Sequence, residues 1–285
     1  MVSAGFGVFG TDNLSVPVLL SVPHAGRDYP ADVFHALRVP PASLVRLEDR
    51  YADLLTRRSV QLGHPVVIAH RARAWVDLNR DESDLDVEMV RGADRASYPE
   101  PGVKQRGGLG LIPRRLSGEG DLWRRQFTLE EVQHRITSFH RPYHERIGGI
   151  LQRMRQLFGV AILLDLHSMP PLRHPTTDAA VDFVIGDRFG KSAASKYAEL
   201  LQARLTAAGF TAALNHPYAG EHILRRHARP KDNIHAIQLE VDRSLYLGAG
   251  LNDPSDGLGR IQTLIATLVG ALADEATGSM LVAAE

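Results

Sequence analysis

The chain has 285 residues, of which 44% are hydrophobic and 23% charged, as is typical of a globular protein with a substantial core. Basic and acidic residues both number 33, so no positive excess favours nucleic acid or an anionic membrane as a partner. Cysteine is absent, which excludes disulfides, a thiol nucleophile and thiolate-held zinc.

The sequence carries no targeting signal that we can identify. Residues 1–11 lack the basic region and the long apolar stretch of a signal peptide. No apolar run approaches the roughly 18 residues that a membrane span requires. We therefore expect a soluble, cytoplasmic protein whose function depends on a local site for a small molecule. The oligomeric state is left open.

Five apolar runs predict the strands of a buried sheet. The run at 160–166 (VAILLDL) is almost continuously apolar, as is typical of parallel strands that are covered on both faces. In chain order the predicted strands are 16–22, 65–70, 160–166, 181–185 and 236–241.

Helical patterns alternate with these runs and are predicted over 41–62, 129–158, 189–208 and 258–273. From Val132 to Met154 apolar residues recur every three or four positions, which marks one helical face, and Pro142 is expected to kink or divide that helix. The alternation predicts an α/β fold, in which helices cover a mostly parallel sheet, as a single domain over 1–285. Residues 81–120, rich in glycine, proline and charge, are interpreted as a functional insertion.

Three polar residues lie where such a sheet binds ligands, near the carboxyl ends of its strands. His24 (SVPHAG) follows the first predicted strand, His167 (LLDLHSMP) follows the most apolar one, and Glu240 lies inside the last. An unpaired carboxylate in a buried strand is costly. Two histidines and a carboxylate form a recurring zinc set in hydrolases, where bound zinc lowers the pKa of water to about 7 and a nearby glutamate accepts its proton.

Each of these residues also has a purely structural interpretation. A histidine after a strand commonly bonds to loop backbone, Glu240 could pair with Arg243, and Arg80 could bridge to the acidic residues that follow it. Three such residues at strand ends make a shared site the better hypothesis. Their spacing alone does not name the reaction.

Nine sequence blocks between about residue 17 and 247 resemble, in the same order, those of the N-formylglutamate amidohydrolase family. The resemblance implies a zinc-carboxypeptidase-like fold with a mixed sheet flanked by helices. It also implies hydrolysis of N-formyl-L-glutamate to formate and L-glutamate, the last step of one histidine-degradation route. The blocks are SVPHAGRDYP, LEDRYADLL, AWVDLNRDESD, GGLGLIPRR, HRPYHERI, LLDLHSMPP, GDRFGKSA, LNHPYAGEHI and QLEVDRSLYL.

The resemblance also assigns a metal centre and a general base. His24 and His167 match the histidines expected to hold one divalent metal, Zn²⁺. For the acidic ligand Asp49 is preferred over Glu48, because Asp49 fits the family's Asp-x-x-x-Asp block. Glu240 resembles the general base.

Substrate binding is assigned to Asn79 and Arg80, which resemble the pair that grips the substrate α-carboxylate through parallel hydrogen bonds. Arg71 or Arg73 is expected to polarise the scissile carbonyl or to bind the side-chain carboxylate, and a basic residue of the loop 225–231 is the alternative for that carboxylate. Glu221 stands where family members often have glycine, so the identity of the acyl-amino acid stays open. The alternatives are a zinc hydrolase for another N-acyl amino acid or a C-terminal residue, and a catalytically silent small-molecule binding protein.

Overall fold

A computed structural model describes residues 5–173 and 180–282 of the chain. It divides into two compact units that alternate along the sequence. The first unit holds residues 5–7, 23–48 and 69–146, and the second holds the described parts of 8–22, 49–68 and 147–285. The single domain expected over 1–285 stays a prediction.

Most of a seven-stranded sheet belongs to the second unit. Its spatial order is β1-β3-β2-β4-β7-β5-β6 when the strands are numbered along the chain. The strands are β1 (Phe6–Phe9), β2 (Val18–Val22), β3 (Val66–Ala69), β4 (Ala161–Met169), β5 (Phe183–Gly186), β6 (Ala212–Leu214) and β7 (Ile234–Asp242).

The sheet is mixed and mostly parallel, which confirms the prediction. Strands β3, β2, β4 and β7 run parallel to one another, whereas β5 pairs antiparallel with β7 and parallel with β6. All five predicted strands are present, as β2, β3, β4, β5 and β7. Every residue of β2, β4 and β7 is buried, which explains the apolar runs of β2 and of the first half of β4.

Helices of the second unit cover this sheet. The last helix packs on β2, and the helix after β5 packs on β5 and β6. These helices are α2 (Ala52–Leu55), α3 (Arg57–Gln61), α7 (Ser195–Ala207), α8 (His222–His227) and α9 (Leu258–Val282), with 3₁₀ turns at Pro230–Asp232 and Arg243–Leu245. A two-stranded ladder joins Leu172–Arg173 to Ala180–Val181.

The first unit is built from short elements. It includes the predicted insertion at 81–120, whose functional role stays a prediction. The helices are α1 (Ala31–Ala36), α4 (Val103–Arg106) and α5 (Leu129–Arg135), with 3₁₀ turns at Pro41–Leu47, Val87–Met89 and Arg95–Ser97. Its ladders join Val90–Arg91 to Phe127–Thr128 and Arg115–Leu116 to Gly120–Asp121.

The long helix predicted over 129–158 is present, but it changes its winding in the middle. α5 ends at Arg135, a π-helical segment spans Ile136–His140, and α6 runs from Arg141 to Phe158. Pro142 therefore lies in the first turn of α6, where its missing N–H is tolerated. The division expected at this proline takes the form of a wider π turn directly before it.

Three helix predictions were wrong in extent. The segment 41–62 is not one helix, because the chain leaves its 3₁₀ turn after Leu47 and Tyr51 takes a left-handed φ of 58° before α2. The helix predicted from Phe189 starts at Ser195, because Arg188 and Phe189 also have positive φ. The helix predicted to end at Ala273 continues to Val282.

No helix among the described residues combines the length and the apolar character that a membrane span requires. The expected cytoplasmic location stays a prediction.

Candidate active site

In the second unit, strand β4 presents a buried histidine between two carboxylates. Asp165 and His167 are two positions apart on β4 and so share one face of the sheet. The His167 Nε2 lies 2.9 Å from Asp165 Oδ2, and its Nδ1 lies 3.0 Å from Asp49 Oδ2. Ser21 on β2 donates to the other oxygen of Asp165 at 2.8 Å. The imidazole is thus fixed in orientation by a carboxylate on each ring nitrogen.

The Asp49 carboxylate is itself held by an arginine. Arg243, directly after β7, places its Nη2 3.3 Å from Asp49 Oδ1 and donates from Nε to Ser168 Oγ at 3.0 Å. Asp49 lies in the break before α2, not on a helix as predicted. In the first unit, neighbouring Glu48 accepts a hydrogen bond from the Tyr29 hydroxyl. The preference for Asp49 over Glu48 as the acidic ligand stays a prediction.

Glu240 lies beside His167 in the sheet. The parallel register of β7 and β4 pairs Glu240 with His167 and Gln238 with Asp165. The Gln238 side-chain amide donates to Glu240 Oε1 at 2.9 Å. Burial alone would lower the pKa of His167, but Asp165, Asp49 and Glu240 hold this pKa well above its ordinary value. This part of the second unit therefore has a surplus of negative charge.

In the first unit, His24 is hydrogen-bonded to a buried aspartate that sequence analysis did not single out. The His24 Nε2 lies 2.7 Å from Asp77 Oδ1, which also accepts the Asn79 backbone N–H at 2.8 Å. Arg73 donates from Nε to Asp77 Oδ2 at 2.8 Å. Burial alone would raise the pKa of Asp77, but Arg73, His24 and Arg80 hold it well below its ordinary value. Asp77 is therefore a carboxylate that organises three residues of the predicted site.

The predicted substrate-binding pair lies in the same buried loop. Asn79 and Arg80 are only 4% and 5% exposed. Arg80 donates from Nε to the Leu109 carbonyl at 2.8 Å and from Nη1 to the Asn79 carbonyl at 2.7 Å. Since these bonds use the Nε proton and one proton of Nη1, both protons of Nη2 and the second proton of Nη1 are left to donate to a bound anion. Arg71, by contrast, forms an ion pair with Asp28, whose side chain is 55% exposed.

Buried histidine and aspartate side chains that could hold a metal ion occur among the described residues. They are His24, Asp49 and His167, and also His140, His144 and His222. The Nε2 of His24 faces Asp77 and that of His167 faces Asp165, and each nitrogen donates its proton to a carboxylate, which only accepts. The Nδ1 of His167 faces Asp49, so these two groups would bind one ion together once Nδ1 has lost its proton. Imidazole nitrogen with carboxylate oxygen suits zinc, so the donor set fits the expected metal.

Three residues beside the predicted site were missed by sequence reasoning. Asp165 stands inside an apolar strand, and the same penalty argument that singled out Glu240 could have found it. Asp77 interrupts the apolar stretch WVDL in the same manner. Arg243 carried no such signal, because an arginine after a strand is ordinary and its contact with Asp49 joins residues 194 positions apart.

Comparison with known proteins identifies relatives along most of the chain. The model of the N-formylglutamate amidohydrolase family matches residues 16–247. N-formylglutamate deformylases of Pseudomonas putida and Pseudomonas aeruginosa are 34% and 30% identical, over 81% of this chain and 82% of each relative. The crystal structure of an N-formylglutamate amidohydrolase from Ralstonia eutropha JMP134 matches with a TM-score of 0.87 at 30% identity, covering 96% of this chain and 98% of that one.

Proposed function

Because the chain belongs to the N-formylglutamate amidohydrolase family, we propose that it hydrolyses the formyl amide bond of N-formyl-L-glutamate. Water adds its oxygen to the formyl carbon, the C–N bond breaks, and the nitrogen leaves as the amine of L-glutamate while formate is released. The naming of both relatives as N-formylglutamate deformylases supports this substrate. We place the reaction in the cytoplasm, as one step of histidine degradation.

One divalent metal, zinc, is held in this proposal by His24, Asp49 and His167. The observation that carries it is the buried His167 with Asp49 at Nδ1 and Asp165 at Nε2, where the negative charge suits a bound cation. We include His24 as a ligand because it comes three residues after Ser21, which hydrogen-bonds to Asp165. Bound zinc supplies a Lewis acid and acidifies water.

Glu240 is the proposed general base, which takes the proton of the attacking water and passes it to the leaving nitrogen. Its register beside His167 supports this role. The hydrogen bond from Gln238 to Oε1 fixes the orientation of this carboxylate. A general base must lie within hydrogen-bond reach of the proton that it removes, and a fixed carboxylate meets that need without rearrangement.

The substrate α-carboxylate is assigned to Asn79 and Arg80, in which the remaining protons of Arg80 Nη1 and Nη2 are donated to the anion. Either Arg71 or Arg73 polarises the formyl oxygen or binds the side-chain carboxylate. The bond of Arg73 to Asp77, which also bonds to His24, favours Arg73 for the role nearest the reacting carbonyl. The exposed pairing of Arg71 with Asp28 favours Arg71 for the role nearer the solvent.

The test combines metal analysis with a substrate panel. We expect about one zinc per chain in the purified protein, loss of activity on chelation, and loss of metal in His24→Ala and His167→Ala. His35→Ala, an exposed histidine of α1, is the matched control and should keep its metal. Full occupancy in both site variants would overturn the ligand assignment.

The panel follows amine release from formyl, acetyl and other acyl derivatives of glutamate, aspartate and leucine. N-formyl-L-glutamate should give the highest kcat/KM. A preference for acetyl-aspartate would favour a related acylase, and a preference for formyl-leucine would contradict the acidic substrate. No turnover of any compound by the zinc-loaded protein would favour a silent binding protein.

A further inference from the structure

Two buried histidines of the first unit are hydrogen-bonded to the loop that carries the proposed substrate-binding pair. His140 and His144 are 0% and 1% exposed. The His140 Nε2 lies 2.9 Å from the Arg80 carbonyl oxygen, and the His144 Nε2 lies 3.0 Å from the Leu78 carbonyl oxygen. Both belong to the block HRPYHERI, for which neither the metal nor the base proposal gives a role.

The direction of these hydrogen bonds is determined by their partners. A backbone carbonyl only accepts, so each Nε2 must carry the proton and donate it. The two accepting carbonyls flank Asn79: one precedes it and the other belongs to the arginine after it. The histidines therefore fix the peptide planes 78–79 and 80–81, which lie at the two ends of the Asn79–Arg80 pair.

The winding of the helix brings the two rings to this loop together. His140 is the last residue of the π segment and His144 follows one turn later in α6, so both lie on the same side of the helix. Their ring centroids are 4.5 Å apart. Single π turns inside α-helices occur frequently at functional sites, because they shift which side chains face a partner.

The remaining groups of the loop are also bonded, which leaves it little freedom. Asn79 N–H donates to Asp77 Oδ1, and the Arg80 guanidinium is held by the carbonyls of Leu109 and Asn79. The two histidine bonds complete this set from the helix side. A carboxylate clamp loses much of its value when it is misplaced, since a shift of about 1 Å can cost about 100-fold in rate.

We propose that His140 and His144 are positioning residues that hold Asn79 and Arg80 in the geometry that binds the substrate α-carboxylate. They do not contact the reacting atoms. This inference rests on the proposed function, because it takes Asn79 and Arg80 as the carboxylate-binding pair. The alternative is that the two histidines are only core side chains, whose loss would reduce stability and lower activity on every substrate alike.

The experiment uses the zinc-loaded protein with N-formyl-L-glutamate and with its α-amide. His140→Leu and His144→Leu remove the donor, and each should lower kcat/KM for the acid about 10–100-fold, mainly through KM. The α-amide, with no α-carboxylate to bind, should change less than about threefold. Zinc content should stay unchanged. Ser138→Ala, an exposed position of the same π segment, is the matched control.

Conservative variants separate positioning from packing. Glutamine can place an amide N–H near the position of Nε2, whereas the shorter asparagine reaches only that of Nδ1, so His144→Gln should recover activity on the acid and His144→Asn should not. This pair makes the same comparison if the leucine variants do not fold. Equal losses on acid and amide, or no advantage of glutamine, would overturn the positioning role. If the wild type does not hydrolyse N-formyl-L-glutamate, the proposed function fails and takes this inference with it.

Discussion

The two regions that carry the proposed site differ in the sign of their charge. Around Asp77 in the first unit, one carboxylate receives hydrogen bonds from Arg73 and His24, and Arg80 lies near enough to lower its pKa further. Around His167 in the second unit, one imidazole lies among three carboxylates, which raise its pKa. Both central groups are fully buried, so the difference comes from their partners and not from their exposure.

This difference indicates what each region can bind. The cation-rich surroundings of Asp77 suit an anionic substrate, whereas the carboxylates around His167 suit a metal cation. The two regions nevertheless share one device: each places an aspartate on the Nε2 of a histidine, at Asp77 for His24 and at Asp165 for His167. Such carboxylate partners orient a ligating imidazole and increase its basicity.

The largest expected effect tests the carboxylate-rich region. Glu240→Gln keeps the shape of the side chain but cannot take a proton, so kcat should fall about 10²–10⁴-fold. Zinc content should be unchanged, because Glu240 is not a proposed ligand. Steady-state kinetics with parallel metal analysis measure both quantities. Glu199→Gln, on an exposed part of α7, should be silent, and near-normal turnover in the Glu240 variant would place the base elsewhere.

The next effect tests the cation-rich region. Arg80→Lys retains the charge but loses the planar fork, and a charge-assisted hydrogen bond contributes roughly 1.5–3 kcal/mol. We therefore expect kcat/KM for N-formyl-L-glutamate to fall about 10–150-fold, with a much smaller change for the α-amide. The two substrates are compared on the same enzyme preparation. Equal losses on both would mean that Arg80 holds the loop and not the carboxylate.

The two aspartate–histidine pairs give a third prediction, in which replacing each aspartate has a different effect on substrate binding. Asp165→Asn should weaken zinc binding about 10–100-fold, the usual range for a carboxylate behind a histidine ligand. Asp77→Asn should weaken zinc similarly and, because Asp77 also accepts from Asn79, raise KM for the acid as well. Competition with a chelator gives the zinc affinity. A raised KM at saturating zinc in the Asp165 variant would contradict the division of roles.

How much of the fold and of the proposed site could be predicted depends on how far apart along the chain the contacting residues lie. The strands were recognisable because burial on both faces favours long runs of apolar residues. His167 with Asp165 was within reach, since two residues that are two positions apart on a strand share a face. The pairing of His24 with Asp77, which joins residues 53 positions apart, was not, because no local pattern records a contact that only the fold creates.

The helices also show where prediction from sequence fails. The apolar spacing from Val132 to Met154 identified a helix, but it did not reveal the π segment, because one extra residue per turn hardly disturbs a three-and-four pattern. The failure over 41–62 has a different cause. A left-handed φ at Tyr51 breaks that segment, and tyrosine carries no sequence signal for this conformation.

The prediction with the smallest expected effect concerns a histidine whose neighbours are positively charged, whereas those of His167 are negatively charged. His227, the last residue of α8, is buried near Arg226, His222 and Arg229, and burial followed by these cations lowers its pKa to about 3. The unfolded chain, with an ordinary value of 6.5, binds a proton that the folded protein refuses. The stability that depends on a neutral His227 is therefore fully present above pH 6.5. As the pH falls from 6.5 toward 3, the free energy of unfolding decreases by up to about 1.4 kcal/mol per pH unit.

Replacing this imidazole should make the protein less sensitive to acid. His227→Gln cannot titrate, so its free energy of unfolding, measured by urea denaturation between pH 7 and 4.5 on metal-free protein, should fall less steeply than that of the wild type. Its stability at pH 7 will be somewhat lower, because the ring packing is lost, so the slope and not the absolute value is decisive. His35→Gln, at an exposed position of α1, should follow the wild-type slope. Parallel curves for all three proteins would mean that the folded protein accommodates a charged His227, and that the sign of the surrounding charge matters less in this part of the second unit than it does around His167.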